Sequence, residues 1–233
     1  MVKNSILLVA DPLIPVPPVT YGGVERILDI LAEGLIERGW DVTLAGHPGS
    51  TCRAKILPHT SMEFNRGGRL RNTWNLLKNI SAKRYNLIHS SAHFDLTAPL
   101  WPLSQKIIQT FHAPPNWNAF NKRVRMIPKR NLWFTTVGHH MVDAFSAIAP
   151  TQGIHNAIRI EEFTFQKHVT EDAPLVFLGR IEQIKGTHTA IRIAQATNRR
   201  LIIAGNRSDS PDVDRYFKEE VEPHLSHKIT YIG

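Results

Sequence analysis

The sequence predicts an α/β protein built on parallel sheets, and three observations carry that prediction. Short, continuously apolar and β-branched runs recur along the chain, as strands buried on both faces do. Segments with apolar residues at helical spacing stand between them. Such helical crossovers imply parallel pairing of the runs they join.

"SILLVA" at 5–10 predicts the first buried strand. A helix follows Gly22 and Gly23, with Val24, Ile27, Leu28, Leu31 and Leu35 on one stripe. Glu25 near its start and Arg38–Gly39 at its end suit the helix dipole and a glycine C-cap. "WDVTLAG" at 40–46 then completes a β–α–β unit. Residues 59–84, rich in Arg, Asn and Gly, lead into a helix around 70–82. "NLIHS" (86–90), "KIIQTFH" (106–112) and "LWFTTVG" (132–138) are further strands. A polar stretch at 158–174 ends in Pro174, and a second series begins. It comprises "LVFLGR" (175–180), a helix at 187–197, "RLIIAG" (200–205), a helix at 212–221 and "KITYIG" (228–233). The expected organisation is a complete Rossmann-like domain at 1–157, a linker at 158–174 and the opening half of a second Rossmann-like domain at 175–233.

Composition narrows the function classes. With 233 residues and 42% apolar content, a sizeable core needs no covalent staple. Cys52 is the one cysteine, so no intramolecular disulfide forms, which suits a reducing cytosol. No apolar run reaches the roughly 20 residues that span a bilayer, and Asp11 and Pro12 interrupt the N-terminal one. The net charge of +8 suits phosphate-bearing partners. Without an RNP signature, zinc-finger spacing or heptads, nucleic acid is not expected among them. A metal is not expected either. His89 and His93 lie on a strand-to-loop segment, and His139 and His140 are adjacent and would point apart.

Two places could receive phosphate. "GGVER" (22–26) opens a helix, where backbone N–H groups and the dipole favour an anion. It matches neither the dinucleotide-binding fingerprint nor the P-loop, so taken alone it leaves a plain turn open. "FLGRIEQIKG" (177–186) sets Arg180 just past a strand's carboxyl end and Lys185 just before a helix. Ligands of open α/β sheets bind beyond those ends, and Arg and Lys both suit phosphate oxygens. Separately, "NKRVRMIPKRN" (121–131) interleaves Lys122, Arg123, Arg125, Lys129 and Arg130 with Val124, Met126 and Ile127. It reads as a solvated loop, with contact to an anionic membrane or a lipid-phosphate acceptor as the alternative. "NRGGRLRN" (65–72) is a weaker candidate of the same kind.

These stretches together resemble the GT4 family of retaining, nucleotide-sugar-dependent glycosyltransferases. "GGVERILDILAEGLIERGWDVTLAG" resembles the family's first β–α–β stretch, with Trp40 where histidine is common. "NAIRIEEF" (156–163) resembles the segment entering the second domain, with Ala157 in place of the usual glycine. "LGRIEQIKG" resembles the family's "GR…KG" phosphate motif, and "LIIAG" follows at the usual distance. The resemblance implies a two-domain, GT-B-like fold and retaining transfer of a hexose from a nucleotide diphosphate sugar to an unknown acceptor, with no cofactor and no metal. It implies that Gly22, Gly23, Arg180 and Lys185 bind the donor diphosphate and that His112 reaches the sugar or the reacting centre. It also implies that the "IHSSAH" segment (88–93) lines the interdomain cleft. The family's later "E…FG…LE" segment is absent from these residues, so the strand at 175–179 is expected to be an unpaired edge. Self-association or completion by another chain, and impaired activity, are then expected. Two other readings remain: a non-catalytic remnant that binds nucleotide or phosphate, and a sugar-nucleotide epimerase of the same fold.

Overall fold

A computed structural model describes residues 4–83 and 85–233. The chain forms two compact units, Met1–Glu162 and Phe163–Gly233. The first is built on a seven-stranded parallel sheet in the order β3-β2-β1-β4-β5-β6-β7. Its strands are β1 (Ser5–Val9), β2 (Asp41–Gly46), β3 (Lys55–Pro58), β4 (Leu87–Ser90), β5 (Lys106–Phe111), β6 (Leu132–Thr136) and β7 (Thr151–Gly153). Among the described residues the α-helices that accompany them are α1 (Gly23–Glu37), α2 (Arg66–Ala82), α3 (Phe94–Thr97), α4 (Trp117–Val124) and α5 (Val142–Ser146).

β1 is hydrogen-bonded to β2 on one side and β4 on the other. Its side chains alternate between two apolar clusters. Ile6 and Leu8 pack with Leu28 and Ala32 of α1, while Leu7 and Val9 share a cluster with Leu76 and Ile80 of α2. The sheet is therefore covered on both faces, which explains the uninterrupted apolar run. α1 ends in a Schellman motif: Gly39 N–H bonds to Ile36 O (2.9 Å) and Trp40 N–H to Leu35 O (3.0 Å). Gly39 is left-handed at φ 83°, the conformation that glycine adopts at least cost.

An aromatic cluster fills the space between β5, β6, α4 and α5. Phe111 and Phe145 stack at 4.1 Å, and Phe134 and Phe120 meet Phe111 edge-on at 5.1 and 5.5 Å. Behind it, a polar column crosses three strands. His89 Nε2 and Thr110 Oγ1 share a hydrogen bond of 2.8 Å, and Thr110 Oγ1 and Thr135 Oγ1 share one of 2.6 Å. At the end of the unit, Arg159 donates to Asp29 (3.0 Å) and Glu33 (2.6 Å), fastening its segment to α1.

The second unit has a three-stranded parallel sheet in the order β10-β9-β8, from β8 (Leu175–Leu178), β9 (Leu201–Ala204) and β10 (Ile229–Tyr231). α6 (Thr187–Ala196) and α7 (Pro211–Glu220) supply Ile191, Ala194, Tyr216 and Phe217 to its core. β8 lies at the edge of this sheet, with Val176 and Leu178 exposed.

The structure corrects the sequence reading in three places. Residues 121–124, read as the start of a solvated loop, instead belong to helix α4 (Trp117–Val124), because Asn116 caps it through Ala119 N–H and Phe120 and Val124 bury one face. Lys122 and Arg123 are therefore helical. β3 and β7 are additional strands; β3 alternates poorly between buried and exposed positions, and the "TQG" of β7 has no apolar residue. The helix expected around 70–82 starts earlier, at Arg66, where the Asn65 side chain accepts from Gly68 N–H at 2.8 Å.

Two stability predictions arise. Phe145→Ala should cost about 3–5 kcal/mol, read as a lower urea midpoint with unchanged slope. Burial pushes the His89 imidazole from its ordinary 6.5 down to about 4, with the His112 charge adding to the effect. The unfolded chain takes up a proton below pH 6.5 that the folded chain refuses, so this contribution is intact above pH 6.5 and lost as pH falls toward 4. The loss from this residue approaches about 3 kcal/mol. His89→Gln should flatten the fall in thermal midpoint between pH 7 and pH 5; an unaltered slope would refute the assignment.

Candidate active site

Parallel strands deliver all their carboxyl ends to one edge. In the first unit the strand order reverses between β1 and β4, the position at which open α/β sheets bind ligands. A cavity of about 200 Å³ opens there. Asp11 follows β1, Ser91–Phe94 follow β4, Val24 comes from α1, and Thr110–Pro115 come from the end of β5 and beyond.

His112 is the first residue after β5 and lines this cavity. Its Nε2 is buried and has no hydrogen-bond partner among the described residues. Burial lowers its pKa, so at neutral pH the ring offers an uncharged nitrogen, donor or acceptor according to tautomer. Asp11 accepts a hydrogen bond from His93 N–H at 2.9 Å. Burial raises the Asp11 carboxyl pKa, and the His93 amide and charge only partly oppose this.

Gly22 caps α1 and Gly23 is its first residue. A Cβ on Gly22 would lie 2.6 Å from the Pro18 Cβ and 2.9 Å from Glu25 Oε2, whereas one on Gly23 would meet nothing within 4 Å. Gly22 thus admits the Glu25 carboxylate to the helix entrance. Glu25 is buried; burial raises its pKa, its own backbone amide opposes this, and the Asp11 charge adds to it. Neither carboxylate stands out in the sequence as a site residue. The available signal for Asp11 is its position just past a buried strand.

In the second unit, Arg180 lies beyond β8 and pairs with Glu182 at 3.0 Å. A one-turn 3-10 segment, Gln183–Lys185, leads to Gly186, the left-handed N-cap of α6 at φ 77°. Thr187, the first residue of α6, is fully buried, and its hydroxyl has no partner among the described residues. Arg180 and Lys185 both precede the start of α6, where His188 N–H donates to Tyr216 Oη (3.1 Å) and the Thr189 and Ala190 N–H groups to Gly186 O (2.9 and 3.1 Å), which leaves the Thr187 hydroxyl as the unmet polar group there. Gly205 supports this corner. It sits at φ 151°, and a Cβ there would overlap the Gly179 carbonyl. Gly22, Gly23 and His112 belong to the first unit, and Arg180 and Lys185 to the second.

The remaining basic candidates are unevenly engaged. Arg123 pairs with Asp95. Lys129 donates to Val124 O and Ile127 O at 2.8 and 3.1 Å, closing the end of α4. Lys122, Arg125 and Arg130 are exposed. Of "IHSSAH", Ser91, Ala92 and His93 line the cavity, while His89 does not. Among the described residues, no three His, Cys, Asp or Glu side chains are grouped to hold a metal ion. No helix among them is long and apolar enough to cross a membrane.

Comparison with known proteins follows the same lines. Residues 21–159, well over half of the chain, match Glycosyltransferase Family 4. AviGT4, a glycosyltransferase involved in avilamycin A biosynthesis, is similar at 20% identity and a TM-score of 0.63, over 99% of this chain and 63% of that one. A glycosyltransferase from Rickettsia africae ESF-5 gives 19% identity and 0.69, over 100% and 69%. A putative UDP-N-acetylglucosamine 2-epimerase from Listeria monocytogenes gives 11% and 0.59, over 100% and 69%. At these identities the likeness is one of fold. The chain spans less than two thirds of the length of AviGT4. No curated protein matches the sequence. The fold is GT-B-like, and the chain belongs to Glycosyltransferase Family 4.

Proposed function

We propose that the chain takes part in retaining transfer of a hexose from a nucleoside diphosphate sugar to a hydroxyl-bearing acceptor. The observation that carries this reading is the start of α6. A buried Thr187 hydroxyl with no partner among the described residues lies there, just after Arg180, Lys185 and Gly186 in sequence, in a chain of a glycosyltransferase family. When the bond from the anomeric carbon to the diphosphate breaks, negative charge develops on the bridging oxygen and the sugar becomes oxocarbenium-like. Arg180 and Lys185, ahead of the positive end of the α6 dipole, stabilise that charge; the reading needs no metal. The acceptor oxygen attacks on the face the diphosphate leaves and passes its proton to a leaving phosphate oxygen, so configuration is retained. The neutral His112 holds a sugar hydroxyl through its vacant ring nitrogen, and Gly22 and Gly23 offer backbone to the diphosphate.

Calorimetry of the chain with UDP- and GDP-hexoses tests the donor assignment. One of them should bind, and Arg180→Ala or Lys185→Ala should each weaken it about tenfold or more; unchanged affinity would overturn the reading. His112→Ala should lower turnover about a hundredfold while the fold is kept. Product anomers read by NMR should retain the donor's configuration. Inversion, or a sugar altered at one carbon without transfer as an epimerase would give, would exclude the proposed reaction.

A further inference from the structure

α2 buries polar side chains beside Leu76 and Ile80 and turns some apolar ones outward. It buries Asn72 and Thr73, whose side chains bond to the 60–61 backbone and to Leu96 O, and it leaves Leu70 and Trp74 exposed at 61% and 72%. Arg66, Leu70, Trp74 and Lys78 follow one another at four-residue spacing and so form one outward stripe. Beside this stripe runs an open groove of about 740 Å³ between α2, the α3 turn and the segment after α4. Its far wall carries Met126, exposed at 83%, and Phe94, Ile127 and several prolines make the lining mainly apolar. Arg66, Arg69 and Arg123 also line it, and the one acid there, Asp95, is engaged by Arg123. The two basic segments singled out in the sequence thus meet on one surface.

We propose that this face of the first unit docks on an anionic phospholipid bilayer. Leu70, Trp74 and Met126 enter the interfacial layer, and Arg66, Arg69 and Lys78 meet lipid phosphates. Interleaved apolar and basic side chains on one exposed stripe match a surface whose phosphates lie directly over acyl chains, and tryptophan suits that boundary. The basic residues can keep their charge at headgroup level while their stems lie along the apolar groups. A second copy of this chain fits less well, because joining two such faces would appose like charges. Phe94 lines both this groove and the cavity of His112, so docking would bring that cavity to the lipid surface. That last consequence rests on the proposed role of the cavity; the docking does not.

Co-sedimentation of the full chain with vesicles of phosphatidylcholine, alone or containing about one third phosphatidylglycerol, tests this. The chain should partition about tenfold or more strongly onto the anionic vesicles at about 0.1 M salt, and much less at about 0.5 M. Leu70→Ser, Trp74→Ser and Met126→Ser combined should lower partition about tenfold while the thermal midpoint is kept, since all three side chains are exposed. Trp74→Phe should restore part of the binding. Absence of binding, equal binding to neutral vesicles, or binding indifferent to the triple variant would overturn the proposal. So would a vesicle-free, concentration-dependent rise in mass that the triple variant abolishes, which would assign the face to self-association. Donor calorimetry involves no vesicles, so failure of either experiment is distinguishable from failure of the other.

Discussion

Parallel hydrogen bonding on both sides of Ser5–Val9 is the constraint on which the first unit depends. A strand held between two parallel neighbours has no solvent face, so Ile6, Leu7, Leu8 and Val9 must all be apolar, and each face needs a helical layer. Parallel neighbours can be reached only by crossovers, which places α1 on the Ile6–Leu8 face and α2 on the Leu7–Val9 face. The same crossovers force every strand to end at one edge. Because β1 connects onward to β2 while β4 leads to β5, the loops after β1 and β4 diverge there. The cavity holding Asp11, His93 and His112 is the space they leave.

Elements that depend on this burial were legible in the sequence, and those defined by pairing alone were not. The runs that became β1 and β2 announce themselves because both faces are packed, and those of β8 and β9 through their apolar content, although Val176 and Leu178 are exposed. β3 is four residues at a sheet edge, and only its register, with Lys55 beside Thr43, makes it a strand. β7 is a strand because Thr151 pairs with Phe134. α4 was hidden by charge: five basic residues in eleven outweigh the Phe120–Val124 pair that buries it. α2 was visible as a helix, but its orientation was not. Nothing local tells that Asn72 would be buried by bonds to residues 60 and 61 while Trp74 stayed outside.

The candidate site divides in the same way. A histidine after a strand end and a glycine pair before a helix are sequence features, and their placement could be stated from the pattern. The packing reason for Gly22 was out of reach, because Pro18 and the Glu25 carboxylate approach it only once the chain has turned. The Asp11 charge adds to the upward shift of the Glu25 carboxyl across the β1–α1 connection. That coupling, and the vacancy at His112 Nε2, arise from three loops meeting in space.

The electrostatics of the two units then differ in kind. In and beneath the cavity of the first, Asp11 and Glu25 are shifted upward and His89 and His112 downward, and burial is the leading cause in all four cases. Every shift is toward the uncharged form. The basic candidates of the second unit are placed differently. Arg180 and Lys185 both precede the start of α6 in positions open to water, where long-range charge is useful. The proposed reaction asks for sugar hydroxyls at His112 and for phosphate at Arg180 and Lys185, and the electrostatics of each unit, taken by itself, suits the part assigned to it.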